Sequence, residues 1–64
     1  MNNHRQIFFE FHALPTINRV TAIDSESGAD INMPYPKGAN IEDVKRLARQ
    51  RLMFKIEKNS SGKP

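Results

Sequence analysis

Ile7-Phe8-Phe9-Glu10-Phe11 sets four large apolar residues in five positions. Successive side chains of a strand point to opposite faces, so Ile7, Phe9 and Phe11 share one side and Phe8, Glu10 and His12 the other. The segment is too short and too aromatic for a helix, and it reads as a strand. It is apolar on both sides, which gives any fold built on it two surfaces to shield.

The rest of the chain supplies two more strands and one helix. Leu14-Pro15-Thr16 ends the first strand, because proline fixes φ and has no N–H for a ladder. A second strand is predicted from about Arg19 to Asp24, where Val20, Thr21 and Ile23 are β-branched and stiff; alternation divides it into Val20 and Ala22 against Thr21 and Ile23. Asp24-Ser25-Glu26-Ser27-Gly28 is a hairpin-turn sequence, with an aspartate able to bond its own backbone and a glycine able to take positive φ. A third strand spans Ala29 to Met33, and Pro34-Tyr35-Pro36 ends it in an extended run. Asn40 then caps a helix from Ile41 to about Glu57, with Glu42 and Asp43 at its positive dipole end. At about 100° per residue, Ile41, Val44, Leu47, Ala48, Leu52 and Ile56 form one sheet-facing stripe with Phe54 at its margin. Arg51 and Lys55 flank it, their stems packing and their heads in water.

The chain therefore reads as an α+β domain: a three-stranded antiparallel sheet (β-β-β-α) with one C-terminal helix packed on one face. The domain covers residues 6–58, between a flexible N-terminus at 1–5 and a disordered tail at 59–64. Strands about 4.8 Å apart make a ribbon that one helix, about 10 Å across, covers on one side only. The uncovered side carries Phe8, Glu10, His12, Arg19, Thr21 and Ile23. These six are the candidate partner-binding residues, and the simplest partner is a second copy of the chain. A strand added at the sheet's free edge is a second route to association.

Length points the same way. A 64-residue chain buries only about 60% of the surface its unfolded form exposes. Domains of this size are reinforced by disulfides, a structural metal or association. The sequence has no cysteine, which removes disulfides, thiolate zinc sites and thiol nucleophiles together and suits a reducing cytoplasm. No apolar run approaches the roughly 20 residues needed to span a bilayer, and the longest, Ile7 to Phe9, is too short for a signal-peptide core. The expectation is a cytoplasmic protein working as a homodimer or as a subunit of a larger complex.

The net charge of +3 is mild, but it is unevenly placed. Residues 1–36 carry two basic and four acidic side chains, a net of −2, whereas residues 37–64 carry eight basic and three acidic, a net of +5. Lys45, Arg46 and Arg49 make a basic helix surface that offers a contact for anions or nucleic acid, the alternative function. Acid at a helix start and base toward its end is also ordinary helix electrostatics. Catalysis is not expected: Ser25, Ser27, Ser60 and Ser61 lie in a turn and a tail without a base to activate them. Gly28, Gly38 and Gly62 are too scattered to cradle a phosphate, so no cofactor is predicted. His4, Glu10 and His12 fall short of a zinc set, so no metal is predicted either.

Three strands followed by a helix look like the arm-site DNA-binding domain of phage integrases. Here the sheet belongs to the acidic half, which phosphates repel. The order also looks like the latter part of a double-stranded-RNA-binding domain, but Ile41-Glu42-Asp43 stands where that family has lysines. A closer likeness rests on Ile7-Phe8-Phe9-Glu10-Phe11, Val20-Thr21-Ala22-Ile23-Asp24, Gly28 and Val44-Lys45-Arg46-Leu47-Ala48. Over about residues 6–56 the chain resembles a family of short uncharacterised alphaproteobacterial proteins, a domain of unknown function. Some members carry a serine hydroxymethyltransferase label, but a chain of this size cannot build a PLP-dependent transferase. The resemblance implies the fold and no activity. Pro15 and Asn18 depart from it, standing where a turn glycine and an apolar strand residue are expected.

Overall fold

A computed structural model describes residues 5–61. Strands β1 (Ile7–Ala13), β2 (Asn18–Asp24) and β3 (Asp30–Tyr35) precede a single helix, α1 (Ile41–Ser61). The strands form one antiparallel sheet in the order β1-β2-β3, as the α+β reading requires. Register follows from two short connections. Phe8 pairs with Ile23, Glu10 with Thr21 and His12 with Arg19 across β1 and β2. Ile23 pairs in turn with Asp30, Thr21 with Asn32 and Arg19 with Pro34.

The second connection is the hairpin the sequence predicts. Gly28 adopts φ +79°, and its N–H donates to the Asp24 carbonyl at 2.9 Å. The first connection needs no glycine, because Leu14 N–H closes it on the Ile17 carbonyl at 3.2 Å and, among the described residues, no non-glycine residue has positive φ. That is why Pro15 is tolerated there. Asn18, the other departure, opens β2 and accepts a 2.7 Å hydrogen bond from Lys37 Nζ.

Asn40 caps α1 as expected: its Oδ1 accepts the Asp43 N–H at 3.1 Å and its carbonyl accepts the Val44 N–H at 3.0 Å. The helix continues to Ser61, a turn beyond Glu57. No Gly or Pro interrupts the sequence before Gly62, so nothing in the backbone stops it sooner. The predicted tail at 59–64 thus begins inside the helix, and 62–64 lie outside the described residues, as do 1–4 of the predicted flexible start. Arg5, assigned to that start, is held by Asp24 and Glu26 at 3.0 and 2.8 Å.

Two further expectations are corrected. β3 runs through Pro34 to Tyr35 instead of ending at Met33. It is an edge strand, where a missing N–H leaves no ladder bond unmade. The apolar stripe of α1 is also narrower than its angular pattern suggests. Val44, Ala48 and Leu52 are buried against Val20 and Ala22 of β2 and Met33 and Tyr35 of β3. Ile41, Leu47 and Phe54 stay 42%, 44% and 63% exposed. The helix lies over β2 and β3, so side chains at the stripe's margin pass beyond the sheet.

This placement makes the helix positions unequal. Leu52→Ala is expected to lower unfolding stability by about 2–4 kcal/mol, as for other buried leucines, whereas Leu47→Ala changes it by less than about 1 kcal/mol. Chemical denaturation of both variants checks the difference, and equal losses would contradict the narrow stripe.

Candidate functional site

The face of the sheet turned away from α1 is assembled by the strand period and the register together. Its first row is Phe8, Ile23 and Asp30; its second is Glu10, Thr21 and Asn32; its third is His12, Arg19 and Pro34. The six residues predicted from sequence therefore form one contiguous surface on β1 and β2. Sequence reasoning missed the β3 contributions, because only the register assigns them to these rows. Phe8 is 53% exposed, Ile23 beside it is half-buried, and Glu10 and His12 are exposed.

The polar part of this face is tied together. Arg19 Nε donates to Asn32 Oδ1, and Asn32 Nδ2 donates to Thr21 Oγ1 at 2.8 Å. His12 Nε2 lies 3.9 Å from Glu10 Oε1, an exposed contact of little energy. Glu10 and Asp30 oppose Arg19, so the surface is charge-mixed. Phe8 and Ile23 make its apolar end, adjoining a polar network that holds its own side chains in place.

A buried aspartate anchors that end. Asp24 is fully buried, and its Oδ2 accepts the Ser27 hydroxyl at 2.7 Å and the Ser27 N–H at 2.9 Å. Arg5 Nε lies 3.0 Å from Asp24 Oδ1 without the alignment of a hydrogen bond, so charge alone holds that contact. Arg5 also donates to Glu26 Oε1 at 2.8 Å. The Ser25 N–H bonds the Gln6 carbonyl at 2.9 Å. The chain entering β1 is thus clasped to the β2–β3 turn, which fixes Phe8 opposite Ile23. Sequence identified Asp24 as a turn residue; its burial depends on Arg5, far away along the chain, and leaves no local signal.

The basic residues of α1 are also brought together, on the flank nearest β1. Lys45 and Arg46 lie 3.9 and 2.9 Å from Glu42 and Asp43, one turn back. Lys45 Nζ and Arg49 Cζ stand 5.9 and 5.8 Å from the centre of the Phe9 ring, within cation–π range. Acids and an aromatic face of the chain itself engage these cations. Among the described residues, no three His, Asp or Glu side chains are grouped as metal ligands.

Compared with known sequences, residues 4–59 match the profile of a family described as a domain of unknown function, DUF6898. No curated protein and no solved structure matches the chain significantly.

The Asp24 clasp makes stability depend on acid. The Ser27 hydroxyl holds the Asp24 carboxyl below its ordinary value; burial opposes this, while the Ser27 N–H, the charge of Arg5 and the Glu26 N–H reinforce it. The folded state therefore binds this proton less readily than the unfolded chain does. The stabilisation is complete above the unfolded value near pH 4 and is lost as pH falls through the lower folded value. Asp24→Asn is expected to be less stable at neutral pH and to lose less on acidification below about pH 4. Thermal melts at stepped pH measure this, and parallel acid limbs in the two proteins would refute it.

Proposed function

We propose that this chain, which belongs to the DUF6898 family, is a non-enzymatic assembly module that self-associates through the helix-free face of its sheet. The observation that carries the reading is the pairing of Phe8 with Ile23 on a surface that no described part of the chain covers. The helix lies on the opposite side, and Phe8 is 53% exposed. The charge mixture of Glu10, Asp30 and Arg19 lets a second copy approach without strong repulsion. A homodimer is the simplest product, and the same face would serve a subunit of a larger complex.

Size sets the expected strength. Three strands of six or seven residues present a face of roughly 14 by 22 Å. Two such faces bury on the order of 600–800 Å² in total, below the roughly 1,200 Å² of a stable interface. Association is therefore weak and concentration-dependent. Nucleic-acid binding through Lys45, Arg46 and Arg49 is the weaker reading, since Glu42 and Asp43 beside them offset part of their charge. No helix among the described residues is long and apolar enough to cross a membrane. The likeness to alphaproteobacterial proteins and the lack of cysteine support a bacterial cytoplasm as the setting.

Size-exclusion chromatography with light scattering, run from micromolar to millimolar protein, should show the mass rising from 7.3 kDa toward that of a dimer. Phe8→Glu should raise the dissociation constant at least about tenfold with an unchanged far-UV spectrum. Replacing Lys45, Arg46 and Arg49 together by Glu should leave association unchanged. A solitary 7.3 kDa species at millimolar concentration would refute the proposal.

A further inference from the structure

A second apolar surface lies on the other side of the molecule. The narrow stripe of α1 leaves Leu47 and Phe54 exposed on the flank nearest β3. Between them and the sheet runs an open groove of about 560 Å³, lined by Ile31, Asn32, Met33, Leu47, Gln50, Arg51 and Phe54. We propose that this groove receives an amphipathic helical segment of an acidic protein partner.

Charge selects the partner. Arg51 stands between Leu47 and Phe54 in the groove wall, and Lys58 Nζ lies 5.7 Å from the Phe54 ring centre. Two acids lie nearby: Asp30 sits 3.9 Å from Lys55 at the edge of β3, and Glu57 follows Phe54 by one turn of α1, so Arg51 and Lys58 set the charge of the wall beside the apolar anchors. A segment with carboxylates beside its apolar anchors complements this wall, whereas a second copy does not. A two-fold arrangement seating this flank against itself places Arg51 near Arg51, and like charges meeting at an interface oppose it.

Backbone chemistry selects the conformation. An extended peptide would have to join the edge of β3, where Pro34 has no N–H to offer and Lys55 Nζ already donates to the Asp30 carbonyl. A helix needs neither group. Leu47 and Phe54 are seven residues apart, about 10 Å along the axis, the spacing of anchors two turns apart on a partner helix. The groove reaches the helix-free face only at Asn32 on the β3 edge, whereas Phe8 and Ile23 pair on β1 and β2, so binding here does not require self-association.

A 14-residue side-chain-stapled helix with leucines at i, i+3, i+4 and i+7, glutamate at a few flanking positions and alanine elsewhere provides the probe. Titrated into isotope-labelled protein, it should shift the methyl resonances of Ile31, Met33 and Leu47 with a saturable curve. Arg51→Glu and Phe54→Ala, both changes of exposed side chains, should each weaken binding about tenfold or more, and Phe8→Glu should not. A matching peptide with lysine for glutamate should bind much more weakly. Absence of shifts, equal binding of the lysine peptide, or shifts centred on Phe8 and Ile23 would overturn the inference. So would a loss of self-association in Phe54→Ala, which would put a second copy in the groove.

Discussion

A helix about 10 Å across cannot roof three strands about 4.8 Å apart, and where it settles decides the character of every other surface. Ala48 of α1 and Ala22 of β2 are both fully inaccessible. Val44, Ala48 and Leu52 share one core cluster with Val20 and Ala22 of β2, and small alanines there allow close packing of helix on sheet. The core is consequently a compact set on β2, β3 and α1, to which β1 contributes only partly buried Ile7 and Phe9. The aromatic residues of β1 make up part of the deficit among themselves. Phe9 and Phe11 stack at 6.4 Å, and Phe11 meets Tyr35 edge-on at 6.2 Å. Lys45 and Arg49 lie above Phe9, lending their aliphatic stems as cover.

The parts of this fold that were legible in the sequence are those whose cause is local. Asn40 announces a helix start because its side chain must satisfy an N–H three residues on. Gly28 announces a turn because the backbone there needs positive φ. Period-two alternation alone assigned Phe8, Glu10, His12, Arg19, Thr21 and Ile23 to one face. What sequence missed depends on position within the assembled molecule. The angular pattern of α1 placed Leu47 in the core because it counts directions around the axis and ignores where that axis lies over the sheet. Pro34 read as a strand end because the penalty for a missing N–H applies only to a strand flanked on both sides. The burial of Asp24 rests on Arg5 and the turn closing around it together.

The two uncovered surfaces differ in kind. The helix-free face pairs Phe8 and Ile23 with a mixture of charges and an internally bonded Arg19–Asn32–Thr21 network. The groove beside α1 pairs Leu47 and Phe54 with positive charge. The basic residues of the second half are concentrated on α1, while the face away from it stays charge-mixed.

Pro34 and Lys55 together have a consequence for what this sheet cannot become. A fibre grown by adding strands must be receptive along both of its borders, since each new unit docks by one border and presents the other to its successor. One border here is closed by a proline and an ammonium group; the opposite one, along β1, has seven residues and no proline. Joined border to border, two folded molecules would exhaust the receptive side of each, so strand addition between folded molecules terminates at a pair.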